Sequence, residues 1–198
     1  NQFRGMLIGY NALNYRFRQS GIEAAAAKGM GVVVMNPLGG GVIPQNPDYF
    51  NYLTAGTDLS VAQAALRFVA SHREISVALN GLTTKEQVDE ACAAVEGLHE
   101  KPVRQIVAEM EGQGVAMNNL CTGCGYCDEC PVGIEIPKYM DAYNQQLFGG
   151  SINERLKWHW SLPADGAAIC TACGKCERLC TQHLPIIARL AEISAGND

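Results

Sequence analysis

The 198 residues predict an α/β region followed by a mostly α-helical, cysteine-rich region. Two observations carry that division. Over the first hundred residues, short apolar runs alternate three times with capped helical patterns, as in a parallel sheet crossed by helices. From Leu120 onward no strand pattern appears, and eight of the nine cysteines fall between Cys121 and Cys180. The expected boundaries are 1–100 for the α/β part, 101–118 for a helical linker and 119–198 for the cysteine-rich part.

In chain order, residues 6–10 (MLIGY) predict a short strand. Ser20 with Glu23 then reads as a capping box opening a helix that stops at Gly29. Residues 32–35 (VVVM) read as a fully buried strand, followed by a loop over Asn36 to Gly41. Ser60 with Gln63 makes a second box, before a helix with an apolar face of Ala62, Ala65, Leu66 and Val69. Residues 75–79 (ISVAL) predict the third strand. Thr84 with Gln87 opens a helix on Val88, Cys92 and Val95 that ends at Gly97. Three such units cannot close a barrel. Residues 101–118 read as helical and then linking. Residues 134–147 and 151–160 read as short helices between two cysteine runs, and 186–193 as a closing one.

Composition removes several function classes. A formal charge of −5 leaves no basic cluster to neutralise phosphates, which excludes nucleic acid as the expected partner. No run of eighteen apolar residues is present, so no membrane span is expected. The opening Asn1-Gln2-Phe3-Arg4 lacks a signal-peptide layout and a leading Met, so the chain is expected to start inside a longer polypeptide. Without an export signal, the cysteines read as thiolates kept reduced for metal rather than as disulfides. That points to the cytoplasm, in an anaerobe.

The cysteines carry the chemistry. Cys121, Cys124 and Cys127 follow C-x2-C-x2-C, with Cys130-Pro131 three residues later; Cys170, Cys173 and Cys176 repeat the triplet, with Cys180 four residues later. Three cysteines so spaced wrap a tight turn around one cube of iron and sulfide, and the fourth ligand comes from elsewhere. In two-cluster ferredoxins the fourth cysteine of each run serves the other cluster. The spacing therefore predicts two [4Fe-4S] clusters in a ferredoxin-like domain, one on Cys121, Cys124, Cys127 and Cys180, the other on Cys170, Cys173, Cys176 and Cys130. Gly123, Gly125, Ala172 and Gly174 suit turns that aim backbone N–H groups at sulfur. Paired zinc sites fit two triplets plus two single cysteines less well. Thr181 stands where the bacterial run has proline, which bears on potential or exposure without removing a ligand. His183 reads as packing against the closing helix or as a donor to a cluster sulfur. Trp158 and Trp160 read as core, or with His159 as a partner surface, and Cys92 as core or a reactive thiol.

The stretches NALNYRFR, GMGVVVMNPLGGG and AALRFVASHREISVALNGLTTKEQVDEA, together with the cysteine runs, resemble the C-terminal half of an aldo/keto reductase carrying a dicluster ferredoxin-like extension. The resemblance implies that the three strands are the last βα units of a partial (β/α)8 barrel, with NADP(H) across their C-terminal ends. Carried over by position, Tyr10 would stack on the nicotinamide, and Asn36, Pro37, Leu38 and Gly39 would embrace the pyrophosphate. Gly81, Thr83, Thr84 and Lys85 would hold the adenosine phosphate at a helix N-terminus, and Gln87 and Glu90 would lie near the adenine. Ala91 stands where the family has asparagine. The family's Asp, Tyr, Lys and His tetrad has no counterpart in this sequence, so no catalytic residue is assigned. The resemblance implies an iron–sulfur oxidoreductase component, or a non-catalytic electron carrier whose barrel part is a docking scaffold. Edges at residues 6–10 and 75–79 predict a cover: a redox partner protein, a homo-oligomer, or the missing N-terminal barrel half.

Overall fold

The computed structural model describes residues 2–54, 57–112 and 119–196. The chain forms two compact units, Asn1–Asn118 and Asn119–Asp198.

In the first unit, strands β1 (Gly5–Gly9), β2 (Gly31–Met35) and β3 (Val77–Ala78) pair in parallel in the order β1-β2-β3. Their register aligns Leu7 with Val33 and Val33 with Val77. β3 is shorter than the run 75–79 because only two of its residues keep the ladder, and Tyr10 lies just past β1. The sheet is accompanied by helices α1 (Tyr15–Ala27), α2 (Val61–Ala70), α3 (Lys85–Val95) and α4 (Val103–Gly112). Strand alternation sends Val32 and Val34 into the core with Ile22, Ala65 and Val69, while Leu7, Met35, Val77 and Leu79 on or beside the strands are exposed. The sheet is therefore covered on one face within this unit, and it is not a closed barrel.

Local chemistry sets the helix starts. Ser60 caps α2 with both halves of a capping box, its oxygen accepting from the Gln63 amide and the Gln63 side chain accepting from the Ser60 amide. Thr84 caps α3 from one side only, because the Gln87 side chain turns instead to the Thr83 amide at 2.8 Å. The expected box at Ser20 does not form. α1 begins five residues earlier, after a turn in which the Asn11 side chain accepts from the Leu13 amide and Asn14 from the Asn11 amide. The apolar stripe expected to bury α3 also fails: Val88, Cys92 and Val95 are exposed, and Ala94 faces the core instead. The expected linker contributes to the first unit up to α4, where Val103 and Ile106 are buried and the Lys101 amide donates to the Ser71 carbonyl. Residues 113–118 lie outside the described residues.

The second unit is helical, with no strand among its described residues. Its helices are α5 (Ile136–Leu147), α6 (Lys175–Leu179) and α7 (Ile186–Ser194). Ile152–Glu154 runs into a π-helical turn, Arg155–Trp160, and a 3-10 segment spans Ala164–Ile169. Its core gathers Ile136, Met140, Ile152, Leu156, Ile186, Leu190 and Ile193 around Cys121, Cys127, Cys176 and Cys180. Each large aliphatic side chain buried there contributes roughly 1.5–3 kcal/mol. Trp158, expected in the core, is 75% exposed with Lys157 over its ring. Trp160 is half-buried, its indole N–H donating to Asp141, which also takes Arg155 at 2.8 Å. His183 is exposed.

Candidate metal centre

The two cysteine runs form one turn built twice. Counting fifty residues on from Cys130 reaches Cys180 (180 − 130 = 50), and the backbone repeats at that offset. The Gly133 amide donates to the Cys130 carbonyl at 3.0 Å and the His183 amide to the Cys180 carbonyl at 3.2 Å, both from left-handed backbone. The Ile136 amide reaches the Ile134 carbonyl, and the Ile186 amide the Leu184 carbonyl, each at 2.9 Å. Within the triplets, Gly123 and Ala172 share one position and Gly125 and Gly174 another, and all four have positive φ. Left-handed residues on either side of the middle cysteine turn backbone N–H groups toward a common point, an arrangement suited to anionic sulfur. The Gly123 amide already lies 3.4 Å from the Cys121 sulfur, and the Leu184 amide 3.4 Å from that of Cys180.

Each triplet shares its surroundings with the single cysteine of the opposite run, although among the described residues no three of these side chains stand close enough together to hold a metal ion. Cys121, Cys127 and Cys180 are buried and Cys124 is exposed. Burial, then the charges of Cys124 and Cys180, push the Cys121 thiol up to about 11. Burial, then Cys121, Cys124 and Cys180, push Cys127 up to about 12. These four thiols therefore sit within one another's electrostatic range. On the other side, Cys130, Cys170, Cys173 and Cys176 line one small cavity with Cys127, Pro131 and Ile136. Burial raises Cys176 as well, with Cys170 among its charged neighbours.

The donor chemistry fits iron–sulfur clusters. Four thiols packed together resist simultaneous deprotonation unless a cationic core neutralises them, and a metal-bound thiol is deprotonated outright. Soft thiolates in sets of four are the ligands such clusters take.

Motif spacing does not reveal several supporting residues. Asn144, buried on α5, accepts from the Cys121 amide at 2.9 Å and donates to the Cys121 carbonyl at 2.8 Å. Gln182 reaches the Thr122 hydroxyl at 3.5 Å, a buried link between the loop after Cys180 and the first triplet. The Thr181 hydroxyl lies 3.6 Å from the Cys124 sulfur. Arg189 is buried on α7, donates to the Asn119 carbonyl at 2.7 Å and covers the Tyr143 ring at 4.5 Å. The readable signal is a polar residue on an otherwise apolar helical face: Asn144 follows Met140 at i+4, and Arg189 precedes Ile193 at i+4.

The residues carried over for a nicotinamide cofactor divide. Asn36, Pro37, Leu38, Gly81, Gln87 and Glu90 line a cavity of about 570 Å³, together with Asn80, whose Oδ1 is buried without a partner among the described residues. Tyr10 is not among them. It is fully buried, stacked on Phe68 at 5.8 Å, with its hydroxyl 2.8 Å from His72 Nε2. The expected stacking on a nicotinamide is therefore corrected: past the end of β1 the ring turns into the core and offers no free face. Gly39 is buried, and Thr83, Thr84 and Lys85 lie off the cavity. Lys85 pairs with Asp89, and the Glu86 carboxylate, held below its ordinary range by its own backbone amide and by Thr84, already sits at the N-terminus of α3.

Residues 120–185 match the family model described as a 4Fe-4S dicluster domain. No curated protein and no solved structure gives a match. The matched span contains all eight cysteines of the two runs, so the second unit is supported as an iron–sulfur segment. The match does not touch the first unit, and nothing found supports its reductase resemblance.

Proposed function

We propose that residues 119–198 transfer electrons one at a time through two [4Fe-4S] clusters, held crosswise by Cys121, Cys124, Cys127 and Cys180 and by Cys170, Cys173, Cys176 and Cys130. The observation that supports this reading is that the span matching the 4Fe-4S dicluster model holds both cysteine runs, with Cys180 among the charges felt by the first triplet and Cys130 in one cavity with the second. When bound, such clusters supply reversible one-electron storage without proton transfer. The protein's own part is to exclude water with Ile136, Ile186 and Leu190, to aim backbone N–H groups at sulfur, and to leave Cys124 and Cys173 exposed as points of approach for a redox partner protein. Anaerobically prepared protein should contain about eight irons and eight acid-labile sulfides per chain. Stoichiometric zinc without sulfide would overturn the reading.

A second reading keeps the first unit as the last three units of an aldo/keto reductase barrel with a partial NADP(H) site. The cavity lined by Asn36, Pro37, Leu38, Gly81, Gln87 and Glu90 favours it. The burial of Tyr10 and the occupied N-terminus of α3 weaken it, and favour a docking scaffold for a non-catalytic carrier. The exposed face at Leu7, Met35 and Val77 suits a covering partner, a second copy or further barrel strands. Fluorescence titration with NADPH tests the cofactor site: quenching lost in Asn36→Ala supports it, and no binding at millimolar NADPH removes it.

A further inference from the structure

The repeated turn places different residues over the two cysteine sets. At the fifty-residue offset, Pro131 corresponds to Thr181 and Tyr139 to Arg189. Pro131 has no hydrogen-bond donor, whereas the Thr181 hydroxyl lies 3.6 Å from the Cys124 sulfur. Tyr139 is neutral and donates its hydroxyl to the Pro163 carbonyl at 2.8 Å. Arg189 carries a full charge at 4% exposure, and one of its terminal nitrogens is buried with no partner among the described residues. A buried guanidinium with an idle donor is costly unless an anion compensates it. Another of its terminal nitrogens donates at 2.7 Å to the carbonyl of Asn119, two residues before Cys121, and the charges it feels after burial and Tyr143 are Cys121, Cys180 and Glu192.

Other charges do not cancel this asymmetry. Asp141, the carboxylate that Cys121 feels, is tied to Arg155 and the Trp160 indole. Glu192, near Arg189, is exposed and accepts the Tyr143 hydroxyl at 2.6 Å. At the second set, Lys175 and Glu129 pair at 3.1 Å, and Arg178, which donates to the Cys173 carbonyl at 3.3 Å, is exposed and screened by solvent, with the Glu177 carboxylate beside Cys176 opposing it.

Resting on the cluster reading above, we propose that Arg189, assisted by Thr181, is the buried counter-charge that gives the cluster on Cys121, Cys124, Cys127 and Cys180 the higher reduction potential, so that it accepts the first electron. Adding an electron there adds one negative charge, breaks no bond and moves no proton; a low-potential one-electron reductant supplies it. A fixed positive charge favours that added electron through low-dielectric surroundings, and a hydroxyl donor to a ligand sulfur acts in the same direction. Tyr139 and Pro131 offer the second cluster neither.

The test is an anaerobic redox titration of the holoprotein with dithionite, followed by electron paramagnetic resonance, in the unaltered chain and in Arg189→Gln and Arg189→Lys. Arg189→Gln should retain the iron and sulfide content yet lower one midpoint alone, by about tenfold in the oxidised-to-reduced ratio, which is 59 mV for one electron. Arg189→Lys, which keeps the charge, should recover most of that shift. Unchanged midpoints in a fully loaded Arg189→Gln protein overturn the proposal and leave the cluster reading standing. An unaltered protein without iron and sulfide overturns the reading itself. If Arg189→Gln does not fold, the order of reduction decides through Cys124→Ser and Cys173→Ser, each of which alters the signal of its own cluster. The higher-potential signal should change with Cys124→Ser and not with Cys173→Ser, and the reverse pattern overturns the assignment.

Discussion

The two cysteine runs share a backbone and differ in what surrounds them. The turns after Cys130 and Cys180 match in hydrogen-bond pattern and in left-handed backbone at Gly133 and His183. Yet the first triplet is anchored by Asn144, Gln182, Thr181 and Arg189, all within the second unit, while the second triplet is bounded by Pro131, Ile136, the exposed Arg178 and a solvent-exposed ion pair. Repetition of a motif sets ligand geometry. The electrostatics belong to residues the motif does not contain.

The severest test of that comparison exchanges the fourth cysteines. Cys180→Ser should abolish or convert the cluster held by Cys121, Cys124 and Cys127, although Cys180 belongs to the other run, and Cys130→Ser should do the same to the cluster at Cys170, Cys173 and Cys176. Spectroscopy showing damage confined to each cysteine's own run would break the crossing.

Acid provides a control from the first unit, which has no cysteine run. Burial holds the His72 imidazole down at about 4, against 6.5 for a free group. The folded state therefore binds fewer protons than the unfolded one, so stability is complete above pH 6.5 and falls as pH drops from 6.5 toward 4. A depression of this size corresponds to on the order of 3 kcal/mol. Urea midpoints at pH 7.5 and 5.0 should differ in the parent chain and differ much less in His72→Gln. Equal pH dependence in both proteins would remove His72 as the source, and acid loss of cluster absorbance could then be compared between the two runs without this contribution.

Asn144→Ala should cost about 1–3 kcal/mol, because it strands the buried amide and carbonyl of Cys121. Its counterpart fifty residues on, Ser194, makes an exposed hydrogen bond to the Ala191 carbonyl near the end of α7, so Ser194→Ala should be close to neutral. Matching losses in chemical denaturation would mean that the two helices support their cysteine runs equally.

Thr181→Val should give the smallest change, roughly a fivefold shift in the oxidised-to-reduced ratio of one cluster, about 40 mV for one electron, with Thr181→Ser restoring it. Equal midpoints in the Val and Ser proteins would show that the hydroxyl at 3.6 Å does not tune the sulfur.

Periodicity and cap chemistry make much of the first unit legible in the sequence alone. The box at Ser60 and Gln63, the strand at Val32 to Met35 and the stop at Gly29 act over a few residues, so the chain writes them locally. Ser20, Cys92 and Tyr10 depart from their local patterns because each depends on what another segment does. The Asn11–Asn14 turn starts α1 early and leaves Ser20 in mid-helix, Ala94 takes the core position expected for Cys92, and His72 and Phe68 draw Tyr10 inward. The cysteine spacing by itself determined the metal chemistry, since ligand type and loop length are properties of sequence. Only the tertiary structure decided that Arg189 lies buried near Cys121 and Cys180 with one nitrogen unpartnered among the described residues. The field a charge exerts depends on burial and distance, and neither is written in the order of the residues.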